Sequence, residues 1–425
     1  MTFSHFVNLN CYTKLCSLCF VVITSVLSSA SVHAHTSADS LRIWQQNMRT
    51  TLDTMLSDKI FDTSQVGLVV YDLTDDSVLY DHCGRQLLLP ASVEKVITTA
   101  AALTQLGVDY QFTTRLYYKG NVVDSILHGD IYIRGGFDPL FSWEDMTAFM
   151  QTFHEHGIKQ IDGGIYADLS FKDRLKWGES WCWDDEERTL TPLPYGGSDS
   201  FMPQFFLSLD QDSIAHPAEY AEITTPLDSV HLLCERTHTM DQVIVPMLKR
   251  SNNFYAEAVF YQLGAVTGKP FASSRLSAAK VEEFIQNIGM NPDNYYISDG
   301  SGLSRWNFTT AELVIRVLHY VWHQPEIYKH LHPALPVAGM DGTLENRMCG
   351  TTAEGVVSAK TGTLFGVSTL AGYAPSFGGH TLCFAILNQG IKNRQVAHNF
   401  QNKVCEVLTQ SFSTPQQTSQ EYETY

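Results

Sequence analysis

Ser92-Val93-Glu94-Lys95 places a hydroxyl one helical turn ahead of an amine, the spacing that sets a nucleophile beside a candidate base. Far downstream follow Ser251-Asn252-Asn253 and Lys360-Thr361-Gly362-Thr363. Together these residue types supply what acyl transfer to a serine needs: a hydroxyl, a proton acceptor and donors for an oxyanion. Ser92 is the candidate nucleophile. Lys95 can take its proton only when neutral, a state favoured by burial and by a second cation at Lys360. Ser251 can relay a proton between the lysines and a leaving amine, and Asn253 can hold a substrate amide. Lys360, Thr361 and Thr363 suit a terminal carboxylate, with Gly362 between them. The backbone N–H groups of Ser92 and Thr363 are the expected oxyanion donors.

A single S-x-x-K is weak evidence, because a chain this long contains about one by chance. A second one occurs at Ser277 to Lys280. Order and context separate them. Pro90-Ala91-Ser92 opens an apolar run, Val93 to Leu106, that reads as a buried helix, whereas Ser277 follows Ser251-Asn252-Asn253 in a polar stretch. Two further patterns are decoys. His154-x-His156 and His330-x-His332 lack a visible third ligand, so neither metal nor cofactor is expected. Glu283 to Asn287 mimics a water-activating E-x-x-x-N, yet Val281 to Ile288 reads equally well as a plain amphipathic helix.

The elements around the motifs follow from periodicity. Leu41 to Leu56 reads as a helix, and Val66 to Tyr71 with Ser77 to Tyr80 as a strand pair turned at Asp75-Asp76. From about Asp109 the texture changes. Strand-like runs at Phe112 to Tyr118, Gly129 to Ile133 and Gln160 to Ala167 surround a helix at Asp145 to His156. A loop rich in Trp, Asp, Glu, Pro and Gly follows, from Trp177 to Ser200. Helices are expected at Met247 to Leu263, Thr310 to Trp322 and Lys392 to Leu408. Strands are expected at Val356 to Thr363, Val367 to Tyr373 and His380 to Leu387.

At 425 residues the chain can bury a large core divided among domains. A net charge of −17 argues against sequence-independent nucleic-acid binding and weakens docking on anionic lipid. The N-terminus reads as an export signal: Lys14 precedes the apolar stretch Leu15 to Leu27, and Val32-His33-Ala34 fits a small-x-small cleavage site. Cleavage after Ala30 and a retained membrane anchor are the competing readings. Cys11, Cys16 and Cys19 would leave with the signal. Cys83, Cys182, Cys234, Cys349, Cys383 and Cys405 remain, and their pairing is not readable. The expected division is a signal peptide at 1–34, a main domain at 35–108 and 219–412, an inserted module at 109–218, and a disordered tail at 413–425.

S-x-x-K, S-x-N and K-T-G, in this order, are the trio of the penicillin-recognising serine acyl transferases. The resemblance extends further, through Leu89 to Thr98, Ser298 to Arg305, Val337 to Leu344 and Ser358 to Leu364. Over nearly the whole mature chain the sequence resembles the class C low-molecular-mass penicillin-binding proteins. These are D-Ala-D-Ala carboxypeptidases/endopeptidases of the penicillin-binding protein 4 type, peptidase family S13. The resemblance implies an α/β (α+β) DD-peptidase/β-lactamase-like fold, with an antiparallel sheet flanked by helices and a module inserted between the first two motifs. It implies peptidoglycan stem peptides as substrates, β-lactams as covalent inhibitors, and a periplasmic location, soluble or loosely attached to membrane or wall. Oligomeric state is not implied. In such relatives an acid of the inserted module binds the amino group of the diaminopimelate side chain. Trp181-Cys182-Trp183-Asp184-Asp185 matches that loop, which places the role on Asp185. Leu303, Arg305 and Leu364 match residues lining the same pocket. One departure is visible: the interval from Asp185 to Ser251 is too short for the second inserted domain that relatives often carry. A β-lactamase or esterase on the same scaffold, and a non-catalytic wall-binding protein, are the competing functions.

Overall fold

The computed structural model describes residues 39–410, apart from 186 and 270. The expected signal peptide with its three cysteines, and the tail from 413, lie outside the described residues.

The main domain is built on a five-stranded antiparallel sheet. It pairs β1 (Gln65–Asp72), β2 (Ser77–His82), β9 (Ser358–Leu364), β10 (Val367–Pro375) and β11 (Thr381–Gln389) in the order β2-β1-β11-β10-β9. Side chains alternate across a strand, and both faces of this sheet are covered. Val66, Leu68 and Val70 of β1 join one core cluster with Trp44, Met48 and Leu52 of α1 (39–56) and Val404 and Leu408 of α10 (Arg394–Thr409). Val69, between them, belongs to the opposite cluster. That cluster gathers α2 (Glu94–Gln105), α5 (Met240–Arg250), α6 (Asn253–Ala265), α7 (Ser274–Asn287), α8 (Ala311–Trp322) and α9 (Pro325–Ala334). Burial on two sides explains why β10 and β11 read as near-continuous apolar runs.

A second sheet carries β3 (Gln111–Val123), β4 (Ile126–Arg134), β5 (Gln160–Ile161), β6 (Ile165–Asp168), β7 (Tyr220–Glu222) and β8 (His231–Thr239). Its main path is β7-β6-β4-β3-β8, with β5 beside β4. Phe149 and Phe153 of α3 (Trp143–Glu155) and Phe201 and Phe205 of α4 (Phe201–Gln211) pack in its core. The boundary expected at 218 falls inside this sheet, since β7 and β8 follow it. β8, largely exposed and rich in charged and polar residues, carries little apolar signal, and its pairing with β3 is non-local. Between Asp185 and Ser251 the described elements are α4, β7, a 3₁₀ turn at Leu227–Ser229, β8 and α5, with no further sheet among the described residues.

The helix expected over Met247 to Leu263 is two helices, α5 and α6, broken at Ser251. Apolar periodicity runs through the break, so hydrophobicity could not reveal it. Likewise, the strand expected over Gln160 to Ala167 is divided into β5 and β6 around Asp162-Gly163-Gly164. Cys83, Cys182, Cys234, Cys349, Cys383 and Cys405 are all unpaired with one another.

Candidate active site

Ser92 lies in a single 3₁₀ turn, Ala91–Val93, that leads into α2. Lys95, one turn on, is fully buried. Its Nζ lies 2.8 Å from Ser92 Oγ, 2.6 Å from Asn253 Oδ1 and 2.7 Å from the Ser301 carbonyl oxygen. An amide oxygen and a carbonyl can only accept. A neutral amine that donates to both therefore turns its lone pair towards Ser92 Oγ, the geometry required to remove the hydroxyl proton.

Burial pushes the Lys95 ammonium down to about 8, against the raising pull of Asp299, Glu257, Glu187 and Glu94. Glu94 and Glu257 are themselves buried, and desolvation holds both carboxyls well above their usual range. Lys360 is also fully buried; desolvation, then the charge of Lys95, holds it well below the ordinary lysine value. If neutral Lys95 is the base, acylation by a β-lactam should accelerate about tenfold per pH unit below 8 and level off above it. Stopped-flow acylation rates across pH 6 to 10, on the order of one point per half unit, would check this. A flat profile would remove Lys95 as the titrating base.

A loop at 298–307 supports the lysine. Asp299 accepts N–H bonds from Gly302 and Ser304 and a side-chain bond from Asn307, each 2.7 Å. Thr98 of α2 donates to the Gly300 carbonyl at 2.8 Å, and Glu257 of α6 accepts the Gly300 N–H at 3.1 Å. Gly302 has φ +78°, and a Cβ there would sit 1.8 Å from the Ala91 carbonyl oxygen. Only glycine permits that approach to the nucleophile turn.

The second motif occupies the break between α5 and α6. Ser251 closes α5 in the left-handed region (φ 58°, ψ 39°), a conformation costing a non-glycine residue about 1 kcal/mol or more. The Asn252 side chain caps α6 by accepting the Tyr255 N–H. This geometry places Ser251 Oγ 2.9 Å from Lys360 Nζ while Asn253 meets Lys95. The two lysines thus serve two different serines.

The third motif lies on β9, the edge of the main sheet. Lys360 Nζ also donates to the Thr361 carbonyl (2.7 Å), and Thr361 Oγ1 donates to Thr343 Oγ1 (2.7 Å). Gly362 abuts the nucleophile turn: a Cβ on it would lie 2.8 Å from Ser92 N, 2.9 Å from the Pro90 carbonyl oxygen and 2.1 Å from Thr369 Oγ1. Thr369 in turn donates to Pro90 O at 2.8 Å. The strand is thereby held against Ser92, with Thr363 exposed and Leu364 half-buried beyond it.

The loop carrying Asp185 docks on the loop carrying Leu303 and Arg305. Trp181 Nε1 donates to Asp299 at 2.8 Å, and the hydroxyls of Ser180 and Ser304 are hydrogen-bonded. Asp185 itself accepts the Cys182 N–H at 2.6 Å, which closes a tight turn. Leu303 is half-buried and Arg305 exposed. Sequence reasoning missed Glu187, whose carboxylate accepts a short bond from Asn253 Nδ2. It lies two residues past Asp185 in the same acidic run, and nothing in its type distinguishes it. Asp299, Ser301 and Thr343 were also unassigned, although they sit in the segments that carry the resemblance.

The decoys separate cleanly. Lys280 pairs with Glu283 on the surface of α7, so neither the second S-x-x-K nor the E-x-x-x-N reaches the site. His154 bonds Asp212, His156 the Thr152 carbonyl, and His330 Asp241. A cavity of about 440 Å³ lined by Arg174, Lys176, Phe201 and Tyr220 belongs to the inserted module and contains none of the motif residues.

Comparison with known families matches residues 48–196 and 198–411 to the D-Ala-D-Ala carboxypeptidase 3 (S13) family. The chain belongs to this family. Among curated relatives, this S13 peptidase is 28% identical to the D-alanyl-D-alanine carboxypeptidase of an Actinomadura species, a match covering 81% of each chain. It is 23% identical to the D-alanyl-D-alanine carboxypeptidase DacB of Haemophilus influenzae, over 77% of this chain and 86% of the relative. The crystal structure of penicillin binding protein 4 from the same organism superposes with a TM-score of 0.74 at 20% identity, over 82% of this chain and 98% of that one. A penicillin G-acylated predatory endopeptidase of Bdellovibrio bacteriovorus has a TM-score of 0.53 at 19% identity, covering 81% and 93%. These two likenesses bear on the fold, an antiparallel sheet between helices.

Proposed function

We infer that this S13 peptidase is a serine-type D-alanyl-D-alanine carboxypeptidase/endopeptidase that cleaves peptidoglycan stem peptides through an acyl-serine and is acylated by β-lactams. The observation that carries the reading is the pair of buried lysines, Lys95 on Ser92 and Asn253, Lys360 on Ser251. Neutral Lys95 takes the Ser92 proton as Oγ attacks the carbonyl of the penultimate D-Ala. The N–H groups of Ser92 and Thr363 receive the oxyanion. Ser251, bonded to Lys360, passes a proton to the departing amine, and water then hydrolyses the ester. Lys360, Thr361 and Thr363 face the terminal carboxylate, with Gly362 giving clearance. Names of the relatives support this reading, as do the penicillin-acylated and β-lactam-complexed neighbours.

Asp185, Leu303, Arg305 and Leu364 are proposed to line the pocket for the side chain of the stem peptide's diamino acid, on a loop pair already docked together. Asp185→Ala should lower kcat/KM on diaminopimelate-containing peptides about tenfold or more, while penicillin acylation is retained. Unchanged peptide turnover would withdraw the assignment. Export to the periplasm is part of the proposal; among the described residues no helix is long and apolar enough to cross a membrane.

One observation favours a second reading, turnover of β-lactams. Glu187 reaches Asn253 and stands near Lys95, where a carboxylate can activate the deacylating water. Incubation with purified muropeptides decides between them. Loss of terminal D-Ala or splitting of dimers is the expected result; inert muropeptides with rapid penicillin hydrolysis, slowed in Glu187→Gln, would favour the second.

A further inference from the structure

At the far end of the main sheet, the β1–β2 turn meets the C-terminal end of α8. Asp76 Oδ1 lies 2.7 Å from His319 Nε2, and the Tyr71 hydroxyl donates to the same oxygen at 2.8 Å. His323 follows one turn after His319, and their rings lie with centroids 4.3 Å apart, tilted by 38°. The His319, His323 and Asp76 ligand atoms all fall within 4.8 Å of one another. We propose that Asp76, His319 and His323 form a binding site for a divalent transition-metal ion, with Zn²⁺ the best match to two imidazoles, one carboxylate and water.

Three physical features favour this over a chance surface contact. His319 lies in the last turn of α8 and His323 is its C-cap, whose backbone N–H still bonds the His319 carbonyl at 3.2 Å, so the two rings stay side by side without any backbone change. The His323 Nδ1 lies 2.9 Å from the His319 carbonyl oxygen. A carbonyl cannot donate, so Nδ1 carries the proton and the Nε2 lone pair is left for a metal. The site also sits at a helix C-terminus, where the helix dipole attracts cations. Binding at His319 Nε2 moves that proton through solvent to the ring's Nδ1, and the 2.7 Å Asp76–His319 contact opens towards the roughly 3.3 Å ligand separations of a tetrahedral ion with 2.0 Å bonds.

A second grouping on the same turn, Asp72, Asp75 and His380, is a weaker candidate. Asp72 is buried, and its carboxylate is already committed to the N–H groups of Thr74 and Asp75 and to His380 at 2.7 Å. The proposed site is separate from the catalytic groups. The 12-residue α8 runs from beside Leu88, bridged to Thr309, to the histidines, about 18 Å along the helix. A bound ion there would tie the β1–β2 turn to α8, clamping the sheet edge remote from Ser92.

The test uses untagged, chelator-stripped protein titrated with Co²⁺, followed by visible d–d absorption, and with Zn²⁺ by calorimetry. One equivalent should bind, and His319→Gln and His323→Gln should each weaken binding at least about tenfold. His380→Gln should leave it unchanged. Both variants should keep the far-ultraviolet dichroism and penicillin labelling of the parent, which certifies their fold. No saturable binding, binding that survives both substitutions, or binding lost only in His380→Gln would each overturn the proposal.

Discussion

Replacing Lys95 with Met is expected to slow acylation of Ser92 by about a thousand-fold to ten-thousand-fold while leaving the protein folded. The magnitude is that of losing a general base together with the geometry it imposes. Met matches the length of the lysine stem but cannot take the hydroxyl proton. Stability should change little, because two effects oppose each other. The substitution abolishes the cost of keeping an amine buried beside Lys360. It also leaves Asn253 Oδ1 and the Ser301 carbonyl without the donor they share, at about 1–3 kcal/mol each. Rapid-quench acylation with a β-lactam and a thermal melt separate the two readouts. A collapse of the melt would mean that Lys95 is needed for the fold, and a normal acylation rate would mean that another group is the base.

Gly362→Val should be nearly as damaging, for a different reason. The added side chain begins 2.1 Å from Thr369 Oγ1 and 2.8 Å from Ser92 N, so β9 must move away from the nucleophile turn. As the sheet edge, β9 pairs along its length with β10, with one further bridge from Ser358 to Val337 at its start, so its Gly362 end can shift at modest cost, about 1–3 kcal/mol of overpacking. The shift would pull the Thr363 N–H away from the Ser92 N–H, and losing one oxyanion donor costs about 10²–10³ in rate. The expected signature is a folded protein with intact Lys95 titration and a deeply reduced acylation rate. Wild-type rates in Gly362→Val would show that the strand does not supply an oxyanion donor.

The parts of this site legible in the sequence were those where chemistry restricts residue type. Ser92, Lys95, Ser251, Asn253 and Lys360 stood out because hydroxyls and lysines in fixed order have few other uses, and the structure brings these five together. Main-sheet strands and α2, α8 and α10 were legible from apolar runs and periodicity. What escaped was set by contacts distant in sequence. The helix break at Ser251 is imposed by the left-handed backbone that turns its hydroxyl to Lys360, and apolar spacing continues across it. β8 escaped because its partner β3 lies more than a hundred residues away. Glu187 was one acid in a run of acids until Asn253 came to meet it. His319 and His323 carry no signal of their own in the sequence, because Asp76, which meets them, comes from the other end of the domain.

The central claim is that Ser92 forms the acyl bond, and mass mapping of the protein after brief exposure to a penicillin tests it most directly. One acyl group per chain is predicted, on the peptide containing Ser92 and absent from Ser92→Ala. Acylation that persists in Ser92→Ala, maps to Ser277 or Ser251, or never forms would contradict it.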